Sequence, residues 1–346
     1  MRLKNEVIDQ SEIDSKYFVV MIGIIIFVVR DSLSDIFTEL GRTSLPVLIG
    51  VTGLGLISQL IEGYTIKNIA GEFNTAFTVR DGFFASAYAT FYRVITFGTG
   101  SIVSEVIYYH KKDLRYSEGT GTSALRMVTY KIALMIWALF FLIVKSDAIQ
   151  QHIANGIFLV LAGILVTLLI ISTLLVLSLN VNAQVLLVLI CNRLFKTQKL
   201  RDIVDQVNNQ VYSLRGAIQT FIHDKNAMIR VFCSNMAKLA VWYMLPFFIL
   251  VHDRSSIDLW LTVALISFTV IIGGILPAPG GIGGFEFVYV LLFRNVVGKV
   301  DAVSSLLLYR YATYLLPFLI GMIYVLINKQ RQINHEIKEA KKEVND

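Results

Sequence analysis

The chain has 346 residues, of which 55% are apolar and only 16% charged, and its mean hydropathy is +0.65. A soluble domain carries about 25% charged residues, so the composition excludes a soluble globular protein and points to an all-α polytopic membrane protein. The net charge of +6 matters less than where the basic residues fall along the chain. Two cysteines, Cys191 and Cys233, with no CxxC, argue against a disulfide framework or a zinc site.

In chain order, residues 1–16 are mixed in charge and read as a cytoplasmic segment. Tyr17 to Val29 is apolar but shorter than the roughly 20 residues a transmembrane helix needs. Arg30-Asp31 follows in place of a small-residue cleavage site, so this reads as an uncleaved first span. Leu33, Ile36, Phe37 and Leu40 mark one face of a short interfacial helix. Leu45 to Ile66 is the second span, with Glu62 near its end. Phe83 to Tyr109 is apolar and aromatic but interrupted at Arg93 and at Phe97-Gly98-Thr99-Gly100-Ser101. Lys67 and Arg80 precede it, and Lys111, Lys112, Arg115, Arg126 and Lys131 follow. Positive flanks stay cytoplasmic, so the segment is expected to enter and return as a re-entrant hairpin.

Gly119-Thr120-Gly121 then reads as a cytoplasmic turn before the span Met127 to Val144, which has Lys131 in its first turn. Ile153 to Leu179 returns. From Arg193 to Arg230 the chain holds seven Lys/Arg against three Asp. Leu200, Ile203, Val207, Val211, Leu214, Ile218 and Phe221 recur there at helical spacing, which predicts an amphipathic helix on the cytoplasmic face. Ala227 to Val251 crosses again, interrupted only by Lys238 and Pro246. His252 to Asp258 is a short external loop, and Leu259 to Leu276 comes back.

A second interruption follows. Pro277 and Pro279 remove backbone donors, and Gly280, Gly281, Gly283 and Gly284 let backbone approach backbone or ligand. Non-helical backbone at membrane depth persists only where protein covers it or it lines a polar cavity, which makes this break a candidate functional site. Phe285 to Val297 leaves again, short for a span at 13 residues. Ala302 to Ile327 is the last span, with Arg310 deep inside it, and 329–346 is a charged tail. The expected layout is eight crossings plus the re-entrant segment, spread over residues 17–328 in the cell membrane, with both termini cytoplasmic.

The two breaks share a pattern: G-S-I-V-S-E at Gly100 to Glu105 and G-G-I-G-G-F-E at Gly280 to Glu286. Interrupted segments at matching places in two halves point to a transporter's binding site. Glu286 falls in the first turn after its break, where a helix N-terminus favours negative charge. It is either a capping carboxylate or a cation-attracting group in a polar cavity, and Glu105 carries the same two readings. Ionisable groups inside membrane segments usually face the bundle interior, so Arg93, Lys131, Lys238 and Arg310 are the expected partners of Glu62, Glu105 and Glu286. Arg310 would hold a structural ion pair or a lipid phosphate, to which its guanidinium fork is suited. The glycine-rich run lacks the GK[ST] of a phosphate-binding loop, and the five histidines form no HExxH. No cofactor, metal or nucleic acid is expected.

The string P-A-P-G-G-I-G-G-F-E, Pro277 to Glu286, resembles the P-x-P-G-G-x-G-x-x-E signature of the flippase-like family. That family is named for the transmembrane region of lysylphosphatidylglycerol synthase, the multiple peptide resistance factor. Ile95 to Tyr109 resembles its other signature, I-T-P-F-A-T-G-G-Q-P and an aromatic run. Here no proline follows Thr96, Ser101 stands at the second glycine, and Ile102-Val103 stand at Q-P. The resemblance covers about residues 15–330. It implies a protein that moves or binds membrane phospholipid, phosphatidylglycerol or its aminoacylated form, with a separate lipid-modifying enzyme as a partner. The expected head-group site, built from the two broken segments and their charges, is Arg93, Glu105, Gly280, Gly281, Gly283, Glu286 and Arg310. In the best-known relatives a soluble C-terminal domain attaches lysine from charged tRNA to the lipid. A tail of under 20 residues follows the last span here, so that transferase chemistry is not expected. Phosphatidylglycerol lysyltransferase and an ion-coupled small-solute transporter are the competing readings.

Overall fold

The computed structural model describes residues 34–96, 98, 100–150, 156–194, 198–222, 224–252, 257–276 and 283–345. The first expected span, Tyr17 to Val29, and residues 277–282 of the second break lie outside them. Among the described residues every regular secondary-structure element is helical. Five helices are long and apolar enough to cross a membrane, the last running from Lys299 to Gln332. The protein is an all-α polytopic membrane protein.

Helix α1 (Ser34–Arg42) buries Ile36 and is tied through Glu39 to Ser304. Helix α2 (Leu45–Ala70) begins with Pro46 in its first turn, where a missing N–H costs nothing. A capping box of Thr78 and Asp81 starts α3 (Val79–Ile95). The chain then turns through Gly98, at φ 99°, into α4 (Ser101–His110). Tyr88 and Tyr108, equidistant from the break, have ring centroids 5.6 Å apart. Lys112 reaches back to Asp81 at 2.6 Å. The expected hairpin is therefore present, with both feet on one face of the bundle.

Helix α5 (Tyr116–Val144) starts eleven residues before the expected Met127. Gly119-Thr120-Gly121 is thus helix interior rather than a turn, and Lys131 lies well inside the helix rather than in its first turn. Then come α6 (Ser146–Gln150), α7 (Gly156–Leu179) and α8 (Val181–Leu194). The break between α7 and α8 is Asn180, whose side chain accepts from the N–H groups of Asn182 and Ala183. The amphipathic helix is α9 (Gln198–Ile222). It buries Val211, Leu214, Ala217, Ile218 and Phe221, while Arg193 belongs to α8 and Arg230 to α10 (Lys225–Val251). The small residues of α5 admit it: a Cβ on Gly121 would stand 2.6 Å from the Ser213 carbonyl.

Helices α11 (Leu259–Gly273) and α12 (Gly284–Val297) pack against each other across the second break. At 15 and 14 residues, each rises only about 22 Å against the ~30 Å of hydrocarbon. Gly298, at φ 85°, reverses the chain into α13 (Lys299–Arg310). Tyr289 of α12 hydrogen-bonds Ser305 of α13 at 3.1 Å. A π-helical turn, Tyr311–Leu315, leads into α14 (Leu316–Asn345). Pro317 cannot donate to the carbonyl of Thr313, a backbone irregularity of the kind that relaxes into a wider turn.

Helices α2 and α10 run antiparallel, because Glu62 meets Lys238, Thr65 meets Ser234 and Gly50 meets Phe248. The end of α2, both feet of the α3–α4 hairpin and the starts of α5 and α10 therefore share one face. That face carries Lys67, Arg80, Lys111, Lys112, Arg115, Lys225 and Arg230. Contacts of Ser44 with His252 and of Lys145 with Asp258 mark the opposite face. The α3–α4 hairpin enters from the basic face and the α11–α12 hairpin from the opposite one.

Without a hydrophobic drive between helices in lipid, small residues permit the close backbone approach that dispersion needs. A Cβ on Gly82 of α3 would stand 2.2 Å from the carbonyl oxygen of Gly63 on α2, and one on Gly321 of α14 would stand 2.1 Å from that of Ala87 on α3.

Candidate functional site

Helices α2, α3, α4, α5 and α10 and the π turn enclose a cavity of about 420 Å³. Its charged lining is Glu62, Arg93, Glu105, Arg126, Lys131 and Lys238. Arg126 stands ten residues into α5, about 15 Å along the axis from its start.

Glu62 and Glu105 are 6% and 1% exposed. A charge at that burial survives only when paired and hydrogen-bonded. Arg126 supplies the pairing for both, with one terminal nitrogen on Glu62 and the other on Glu105 at 2.7 Å. The planar fork makes such a bridge between two helices. The second oxygen of Glu62 takes Lys238 Nζ at 2.6 Å, and that ammonium also lies 4.4 Å from the Tyr130 ring centroid. The second oxygen of Glu105 accepts from the Tyr109 hydroxyl at 2.5 Å. The result is a continuous chain, Lys238–Glu62–Arg126–Glu105–Tyr109, linking α10, α2, α5 and α4.

Arg93 is different. Its Nε and one terminal nitrogen reach Ser101 Oγ at only 3.4 and 3.3 Å, and among the described residues no carboxylate lies within ion-pair distance of it. Lys131, half-buried in the same cavity, likewise has none. Lys131 Nζ sits 3.9 Å from where a Cβ on Gly274 would stand, at the end of α11. One cation without an ion-pair partner among the described residues thus flanks each break.

Glu286 and Arg310 form a separate pair that does not line the cavity. Glu286 gives one oxygen to Arg310 and the other to the Gly283 N–H at 2.7 Å, closing the first turn of α12. Gly283 adopts φ 119°, a conformation that leaves little alternative to glycine. The Arg310 guanidinium lies 4.6 Å from the Phe285 ring centroid and 5.9 Å from that of Tyr314. Tyr314, from the π turn, does line the cavity, so it is the link between the pair and the chamber.

Of the expected site, then, Arg93 and Glu105 share the cavity without pairing with each other. Glu286, Arg310 and Gly283 form one cluster beside it. Gly280 and Gly281 lie outside the described residues. Lys238 and Glu62 pair as expected by type. Arg126, read from sequence as a cytoplasmic flank, is instead the centre of the buried network.

The family pattern described as lysylphosphatidylglycerol synthase TM region matches residues 17–321, taking in both breaks and every charged residue of the cavity. The chain belongs to this family. No curated protein matches the sequence. Membership in the lysylphosphatidylglycerol synthase TM-region family accounts for the multi-pass bundle and assigns both interrupted segments to a membrane region.

Proposed function

We propose that the protein moves phospholipid between leaflets, holding the head group in the charged cavity while the acyl chains stay in the hydrocarbon. The observation that carries this reading is the composition of the cavity's rim. Ile102 of α4 and Met127 of α5 line the chamber and are each 42% exposed, so an apolar flank adjoins a charged interior. A water-soluble solute has no use for such a flank, whereas a lipid needs both parts. The hairpins entering from opposite faces support a transport cycle, since inverted pairs of broken segments characterise alternating-access proteins. The excess of Lys and Arg on one face supports placing that face, and with it α9, in the cytoplasm of a cell-membrane protein. Phosphatidylglycerol and its aminoacylated form are the head groups that family membership brings forward.

The test is lipid movement in liposomes holding the purified protein, with labelled phosphatidylglycerol and lysyl-phosphatidylglycerol compared and Glu286→Gln alongside. Protein-dependent movement of at least one of the two lipids is expected, with loss in Glu286→Gln, which keeps an acceptor for Gly283 but no charge for Arg310. A folded protein that moves neither lipid would overturn the reading. Normal movement by a folded Glu286→Gln would remove that pair from the mechanism.

A further inference from the structure

Resting on the reading of the cavity as a head-group site, we infer that it selects an anionic, phosphate-bearing head group held between Arg93 and Lys131, and rejects the cationic aminoacyl one. The cavity holds four cations against two carboxylates, Arg93, Arg126, Lys131 and Lys238 against Glu62 and Glu105, an excess of two positive charges. Neither carboxylate is available to a ligand. Glu62 is taken by Arg126 and Lys238, and Glu105 by Arg126 and Tyr109. The excess therefore resides on Arg93 and Lys131, the two cations with no carboxylate partner among the described residues. Residues 277–282 of the second break, Pro-Ala-Pro-Gly-Gly-Ile, contain no acid that could supply one.

Position reinforces charge. Arg93 lies against Ser101 beside the first break and Lys131 beside Gly274 at the end of α11, so the two cations stand next to the two breaks. A phosphodiester carries one negative charge, and a phosphomonoester about −1.5 to −2 at neutral pH, which matches the excess more closely. A lysyl ester on phosphatidylglycerol adds two ammonium groups, and the cavity offers them no unpaired carboxylate. Repulsion between like charges held in the same cavity, in a medium of low effective dielectric, then works against the aminoacyl lipid.

Binding and movement are measured separately on the same purified protein. Short-chain phosphatidic acid, phosphatidylglycerol and lysyl-phosphatidylglycerol, with glycerol phosphate as the lipid-free control, are titrated calorimetrically into the detergent-solubilised protein. The long-chain labelled lipids are followed in liposomes. The anionic lipids are expected to bind at least about tenfold more tightly than the lysyl lipid. Arg93→Gln and Lys131→Gln should each weaken anionic binding about tenfold at an unchanged melting temperature, and Arg93→Lys should restore part of it. Lysyl lipid bound as tightly as phosphatidylglycerol would overturn the selectivity. Glycerol phosphate bound as tightly as phosphatidic acid would overturn the lipid part, leaving a free-phosphate site. Binding with the expected selectivity but no movement would leave this inference standing and defeat the translocase reading instead. A folded protein that binds none of the four would defeat the inference itself.

Discussion

Arg126→Met takes away the cation shared by two buried carboxylates. Glu62 keeps Lys238 at 2.6 Å, but Glu105, 1% exposed, keeps only the Tyr109 hydroxyl. Removing one partner of a buried ion pair costs about 3–5 kcal/mol, chiefly because the remaining charge is stranded in a low-dielectric interior. The residual tie of Glu62 places the expected loss on Glu105 and toward the lower end of that range. The assay is equilibrium unfolding in mixed micelles as the fraction of denaturing detergent is raised. The double variant Arg126→Met with Glu105→Gln removes the stranded charge and should recover about 2 kcal/mol of the loss, a coupling within the range seen for contacting residues. A single variant within about 1 kcal/mol of the parent, or a double variant no more stable than the single, would refute the account of the network as the main polar tie of the bundle.

Four further outcomes follow from the structure. Gly82→Ala and Gly321→Ala, which place a Cβ 2.2 and 2.1 Å from a facing carbonyl oxygen, should each cost about 1–3 kcal/mol in the same unfolding assay. Gly53→Ala, with nothing within 4 Å of its Cβ, should be neutral or stabilise α2 by up to about 1 kcal/mol. Asp258 caps α11 through the Trp260 and Leu261 N–H groups and pairs with Lys145. Burial pushes its carboxyl up, but the Trp260 N–H, Lys145 and the Leu261 N–H outweigh that and hold it below the usual carboxylate range. Its contribution is therefore complete above the ordinary carboxylate pKa, near 3.9, and disappears as pH falls through the lowered value. Asp258→Ala should cost about 1 kcal/mol at neutral pH, with the deficit closing in acid, as unfolding at stepped pH would register. In a cysteine-free background, Ser146→Cys should react with an impermeant maleimide on intact cells and Ser117→Cys should not. The reverse pattern would invert the proposed orientation.

Both interruptions were legible because glycine clusters, with proline at the second, interrupt apolar runs beside charged residues. The amphipathic α9 was equally visible in its spacing. Arg126 was hidden by the residues before it. Ser117, Glu118, Thr120, Thr122 and Ser123 lower hydropathy as a loop would, yet Thr122 and Ser123 are buried, and Gly121 admits the Ser213 backbone. Hydropathy reports preference for lipid, and a helix face turned toward other helices need have none. The available signal was the run of small residues leading into Leu125, which suits close helix packing. Helix α8 was missed for the opposite reason. A single Asn180 separates two apolar runs, and only its capping geometry reveals the break. The partition of charges, with Arg93 and Lys131 outside ion-pair distance of any carboxylate among the described residues while Glu286 pairs with Arg310, depends on packing between distant segments and has no signature in linear spacing.

The chain from Lys238 to Tyr109 also constrains mechanics. Sliding α2, α4, α5 or α10 past one another by a helical turn would pull opposite, largely buried charges several ångströms apart. These four helices are therefore the part of the bundle held together by charge. Among the described residues, the α11–α12 hairpin and the helix carrying Arg310, which runs into the π turn, lie outside that chain.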